Sequence, residues 1–485
     1  VGGSNQDRQV SRKGYSKQVG GGKQEKHSIG GRQNKQVSGR QQNKCVDESN
    51  QNRQVSRKGQ YKQLGGGQQD KHSNGGRQNK QVTTSKYSQD RTKMKNSSAG
   101  SKCPVSHLCG GCNYVDEDYA RQLEIKQGML DELLGKYAPV DKIEGMDNPY
   151  NYRNKVTAEF HRQKNGEVIS GVYQEGTHKV VPVDYCYIEN EKARAIIKDV
   201  AGLVRSFKLP IYDEDKGSGL LRHVQVRVGK NTGQIMVIIV TASPVFPSKK
   251  NLAKALLKLH PEITTIIQNI NTKNTTMVIG ERNQTIYGKG YIEDILCGKK
   301  FRISPGSFYQ VNPVQTEVLY RKAVKYADLK ENQVAIDAYC GIGTIGIVAS
   351  ENAGKVIGVE LNPAAVRDAR TNVKLNNIDN VDIYSNDAGR FMVDLAEQGE
   401  TVDTVFMDPP RSGSTKEFMS SVTKLSPRRL IYISCNPHSL ARDLEYLTHN
   451  GYKVLKISPI DMFPLTEGVE AVALLVSERR ERRSN

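Results

Sequence analysis

The sequence predicts an α/β protein: a doubly wound parallel sheet in the C-terminal part, a mixed α/β region before it, and a disordered basic repeat ahead of both. Three observations carry this. From about residue 306 to 477, short apolar strands alternate with helical stretches, the pattern of a parallel sheet covered by helices. Across 98–305 strand-like and helical runs mix without that alternation. Residues 1–97 are nearly empty of large aliphatic side chains, so they bury too little apolar surface to offset chain entropy.

Taken in order, the tail comes first. Residues 4–37 recur at 49–82, rich in Gln, Gly, Lys and Arg. Two copies without an apolar face argue against a solenoid. The net charge of +19 suggests a polyanionic partner. It is unevenly spread: residues 1–100 hold 21 Lys/Arg against 6 Asp/Glu. Two readings fit the tail, an electrostatic RNA-binding arm and a solvated segment without a specific role. A second basic cluster lies in 478–485.

No apolar run approaches the roughly 18 residues of a membrane span. Residue 1 is Val, and no charged-then-apolar leader follows. The expected compartment is the cytoplasm, with no membrane and no obligate protein partner. Eight cysteines are too sparse for a disulfide scaffold.

Three of them crowd into "CPVSHLCGGC", as Cys103, Cys109 and Cys112, and Cys186 in "PVDYCYIEN" supplies a fourth. On spacing alone, four thiolates suit zinc or an iron–sulfur cluster. Cys45, Cys297 and Cys340 are read as non-ligands. In the central region 224–228, 233–241 and 264–270 read as strands and 250–259 as a helix.

The C-terminal strands are expected at 333–339, 355–360, 381–385, 401–408 and 428–434. "DAYCGIGTIG" follows the first and opens a helix. Gly341, Gly343 and Gly346 permit a tight turn and close ligand approach, and Glu360 ends the next strand about 20 residues on, where it can accept from ribose hydroxyls. These features fit a dinucleotide or S-adenosylmethionine (SAM), and a tight turn that binds nothing is the bland alternative.

"MDPPRSG" places Asp408 at the carboxyl end of the fourth strand, and "YISCNP" places Cys435 at the end of the fifth. Asp-Pro-Pro there favours SAM and a target base over a dinucleotide. A free Cys is often just a small buried residue. Beside a SAM pocket, a thiolate has a use: adding to C6 of a pyrimidine turns C5 into a nucleophile. Glu470 in "FPLTEGVEAVALL" is the candidate base for the C5 proton, against the reading of a surface carboxylate.

With "YRNKV", "SPGSFYQVNP", "DAYCGIGTIG", "DPPRSG", "YISCNP" and "FPLTEGVE" in this order, residues 103–477 resemble the RNA 5-methyluridine methyltransferase family, in particular its 23S rRNA (uracil-C5)-methyltransferases. The resemblance implies a class I SAM-dependent methyltransferase fold, with Cys435 as nucleophile and Glu470 as base. It implies that Gln310, Tyr339, Glu360 and Asp408 line the SAM and uracil pocket, with Asp387 near the adenine and Gly341 in the cofactor loop. It also turns the cysteine reading toward a [4Fe–4S] cluster on Cys103, Cys109, Cys112 and Cys186, with a structural or RNA-positioning role.

Three departures stand out. The small β-barrel common at the start of family members has no counterpart in the strand pattern. Gly468 replaces a usual His, and Ser412 replaces a usual Lys. The alternatives are the same reaction on a tRNA uridine, a non-catalytic RNA-binding assembly factor, and an NAD-dependent enzyme.

Overall fold

The computed structural model of the protein describes residues 101–479. The repeat at 1–97, Cys45 and the basic residues from Arg480 onward lie outside the described residues. A single helical turn, α1 (Ser106–Cys109), is followed by the helix α2 (Tyr119–Leu134). Then come β1 (Lys155–Arg162), β2 (Val168–Tyr173), β3 (Val180–Pro182), α3 (Glu191–Ser206), β4 (Leu221–Val228), β5 (Ile235–Thr241), α4 (Lys249–Leu259), β6 (Ile263–Ile270) and β7 (Arg282–Tyr287).

These strands form one sheet in the order β3-β2-β1-β4-β5-β6-β7. Only β5 and β6 pair in parallel, because α4 carries the chain back between them. One face is covered by α3 and α4, whose Ile196, Ile197, Leu252 and Leu256 pack on Val224, Val226, Val237 and Ile239. On the other face Met236, Ile238, Val240 and Ile267 join a core that continues into the C-terminal region. A hairpin, β8 (Ile292–Leu296) and β9 (Lys299–Ile303), contributes Phe301 and Ile303 to that core.

The C-terminal region runs α5 (Pro313–Ala327), β10 (Val334–Asp337), α6 (Thr344–Ala349), β11 (Lys355–Glu360), α7 (Pro363–Leu375), β12 (Val381–Ser385), α8 (Ala388–Glu397), β13 (Thr404–Met407), α9 (Lys416–Leu425), β14 (Arg429–Ser434), α10 (Pro437–His449), β15 (Tyr452–Ile460) and β16 (Glu470–Ser477). Each expected strand is present, some trimmed at the ends. The order is β12-β11-β10-β13-β14-β16-β15. The first five run parallel, and β16 inserts antiparallel between β14 and β15. Helices on both faces bury the middle strands: every residue of β13 is buried. Proline at the first turn and an Asn cap start α5, α7 and α10.

One helix packs away from its sequence neighbours. α2 lies in the 98–305 stretch, yet its Leu130 and Leu134, with Ala138 and Ile143, share a core with Val405, Met407, Leu440 and Ile457. Val140 and Glu144 bridge in parallel to Ile457 and Ile460 of β15. The buried stripe Gln122, Lys126, Leu130, Leu134 has a four-residue spacing that puts it on one helix face, and α10 together with the segment after β15 covers that face. Among the described residues no helix is long and apolar enough to cross a membrane.

Candidate active site

The sheet order reverses between β10 and β13, the place where open α/β sheets bind ligands beyond the carboxyl ends of their strands. From Asp337 the chain turns through Tyr339 and Gly341 into α6. Gly341 (φ +55°) and Gly343 (φ +83°) adopt left-handed backbone that side chains disfavour, and nothing stands within 4 Å of where a Cβ of Gly341 would be. Asp337 accepts from the Gly346 amide at 2.8 Å. Burial pushes its carboxyl up to about 7, opposed by that bond and aided by Glu360. Glu360, at the end of β11, accepts from the amides of Gly341 (3.0 Å) and Asn362 (2.7 Å). The Tyr339 ring lies 5.0 Å from that of Phe418. Asp387 is exposed and caps α8, accepting from the Arg390 amide at 2.9 Å.

The other half of the edge carries Asp408, Cys435 and Glu470. Met407 pairs with Tyr432 in the parallel β13–β14 ladder, so Asp408 and Cys435 leave neighbouring strands at the same end. Ser434 pairs with Ala471 in the antiparallel β14–β16 ladder. Glu470, the residue before Ala471, therefore stands opposite Cys435. Glu470 is 2 % exposed, and its Oε2 has no hydrogen-bond partner among the described residues. Burial, then Asp408, holds its carboxyl well above the usual range, while Arg411 opposes. Burial also pushes the Cys435 thiol up to about 12, with Glu470 and Asp408 adding and Arg411 opposing. Asp408 rises to about 7 through burial and Asp337. Three acids thus crowd one site with one guanidinium beside them, an arrangement that favours an incoming cation. The turn after Asp408 is held by the buried Asp443, which accepts from the Ser414 amide (2.7 Å) and the Tyr432 hydroxyl (2.6 Å).

Gln310 sits on the loop before α5, 7 % exposed. Asn154 donates to its carbonyl at 3.1 Å. Arg227, buried in β4, donates to the carbonyls of Ser307 (2.8 Å) and Pro305 (3.0 Å) and fixes the same loop. Sequence reading missed both Asn154 and Arg227. It also missed Lys126, whose signal was a lysine on the otherwise buried stripe of α2.

Cys103, Cys109, Cys112 and Cys186 are free and partly exposed. They share one neighbourhood: burial, then Cys186, Cys109 and Cys103, push the Cys112 thiol up to about 12. Cys112 and Cys186 pack against Tyr152, Ile188 and Leu465. Among the described residues no three His, Cys, Asp or Glu side chains converge tightly enough for a single metal ion.

Residues 253–478 match the family model of tRNA (uracil-5-)-methyltransferases. Relatives described as RNA methyltransferases share 40 % identity over 379 residues in Oceanobacillus iheyensis (77 % of this chain, 82 % of the relative) and 42 % over 380 residues in Caldanaerobacter subterraneus (77 % and 83 %). Among solved structures, the tRNA (uracil-54, C5)-methyltransferase of Pyrococcus abyssi, in complex with S-adenosyl-L-homocysteine, is similar with a TM-score of 0.62 and 28 % identity, covering 76 % of this chain and 86 % of that one. Fold and site define a SAM-dependent methyltransferase of the class I type. The chain belongs to the RNA 5-methyluridine methyltransferase family, whose reaction is methyl transfer from SAM to uracil C5 in RNA.

Proposed function

We propose that the protein methylates C5 of a uridine in 23S rRNA, with Cys435 as nucleophile and Glu470 as base. The observation that carries this reading is that Cys435 stands opposite a buried carboxyl group, Glu470, one of whose oxygens has no hydrogen-bond partner among the described residues. Bound SAM supplies the methyl group and a positive sulfonium charge, held in this reading by Tyr339, Gly341, Glu360 and Asp387. Cys435, as thiolate, adds to C6 of the uracil, and the ring electrons make C5 nucleophilic. After C5 takes the methyl group, Glu470 removes the C5 proton and the C6–S bond breaks. Asp408 and Gln310 orient the base, which must be unpaired or flipped out because a stacked uracil hides C6.

In the same reading, Cys103, Cys109, Cys112 and Cys186 hold a [4Fe–4S] cluster. The donor set fits: four thiols, no disulfide among them and an apolar wall of Tyr152, Ile188 and Leu465. The cluster takes no part in methyl transfer, which moves no electron.

A second reading, a tRNA uridine as target, is favoured by the likeness to the Pyrococcus abyssi enzyme. The test is mass mapping of 5-methyluridine after incubating the protein and SAM with unmodified 23S rRNA and tRNA transcripts. The proposal expects the modification in 23S rRNA. Methylated tRNA alone would transfer the assignment to the second reading, and no methylation of either would contradict both.

A further inference from the structure

Lys126 is 1 % exposed and its partner Asp461 is fully buried. A buried ammonium is retained only where every proton finds an acceptor, and here all three do. Its Nζ donates to Asp461 Oδ1 at 2.6 Å, to the Phe463 carbonyl at 3.1 Å and to the Gly468 carbonyl at 2.8 Å. These acceptors bracket the irregular segment between β15 and β16, and β16 begins with Glu470.

The rest of α2 and the stretch before it grip the same segment. Tyr119 donates to Asp461 Oδ2 at 2.8 Å, and Gln122 Oε1 accepts from the Leu465 amide at 2.9 Å. The Tyr114 amide donates to the Leu465 carbonyl at 3.0 Å. Leu465 itself is held at φ +67°, a conformation that persists only where the surroundings over-determine it. At Gly468 a Cβ would come within 2.9 Å of Phe463 Cδ2, so the segment folds closely on itself. The β14–β16 ladder begins only at Ala471. Glu470, the terminal residue, is paired across the β15–β16 hairpin with Ile460, so its placement depends on the segment that joins those two strands.

We propose that Lys126 is a positioning residue for Glu470: by tying Asp461, Phe463 and Gly468 together it fixes the turn from which Glu470 enters the site. This rests on the reading of Glu470 as base. With its side chain 1 % exposed and all three protons engaged, Lys126 acts only through the backbone that aims the carboxylate.

The test compares Glu470→Gln, Lys126→Met and Lys126→Met/Asp461→Asn with the native full chain, on an RNA transcript that the native protein methylates. The double variant removes both buried charges, so that an unpaired carboxylate is not what is measured. Both Lys126 variants are expected to keep native SAM affinity and KM for RNA. Their turnover should fall about 100-fold, the scale set by small misplacements of a catalytic group. A gel-stable, methylated protein–RNA adduct should accumulate, because the thiol still adds while proton removal is slow. An adduct with Glu470→Gln but with neither Lys126 variant would overturn the role of Lys126 and leave that of Glu470 standing. Full turnover without adduct in Glu470→Gln would overturn the reading of the base itself. If both Lys126 variants lose cooperative thermal unfolding, Lys126 is a stability residue and the proposal is wrong.

Discussion

Cys435 and Glu470 stand opposite each other at the carboxyl end of β14, because Ser434 and Ala471 are in register across the antiparallel β14–β16 pair. Only an antiparallel β16 puts its first residue at that end of the sheet. A parallel strand in the same slot would deliver its last residue there instead. The inserted strand thus brings a carboxylate from the end of the chain to the thiol, beside Asp408 on the next strand.

Asp337 gives a pH dependence with a definite sign. Its carboxyl is raised to about 7 by burial, so the folded protein disfavours the charged form. The penalty is absent below the unfolded value near 4 and complete above about pH 7. Asp337→Asn should therefore stabilise the protein by up to about 4 kcal/mol at pH 8 and by little at pH 4. Thermal melts of both proteins across this range check it. A gain that grows toward low pH would reverse the sign and refute the argument.

Leu465 is 2 % exposed and packs among Tyr152, Ile188, Cys112 and Cys186. Leu465→Ala should cost about 2–5 kcal/mol, the range for emptying a buried aliphatic site. Denaturant unfolding would measure it, and a loss below about 0.5 kcal/mol, typical of surface changes, would show that the contact carries no weight.

The strand pattern made the C-terminal sheet legible, and with it the shared edge of Gly341, Glu360, Asp408 and Cys435. Alternation of strands and helices has one common solution, so motifs at strand ends fall together. The direction of β16 was not legible, since a strand buried along its whole length reads the same in either sense. The attachment of α2 to the C-terminal region was hidden too. A buried stripe shows that a helix packs, not on what. Arg227 lies in "VQVRV", whose pattern marks a strand but not what covers it; the loop carrying Gln310 does, and the Arg227 guanidinium bonds that loop's carbonyls.

Anaerobically purified protein should carry about four irons per chain, as thiolate-ligated cluster. Each of Cys103→Ser, Cys109→Ser, Cys112→Ser and Cys186→Ser should lose the iron and the visible absorbance that goes with it. Stoichiometric zinc in place of iron would contradict the cluster assignment without touching the active-site residues.

Covalent catalysis by Cys435 can be trapped with RNA carrying 5-fluorouridine. Fluorine at C5 cannot be removed as a proton, so a thiol added at C6 stays bound after methyl transfer. With SAM present, peptide mass spectrometry should find the methylated fluorouridine on the peptide that contains Cys435. Cys435→Ala should give no adduct and no methylation while still binding SAM. An adduct on another residue, or native turnover by Cys435→Ala, would contradict the account.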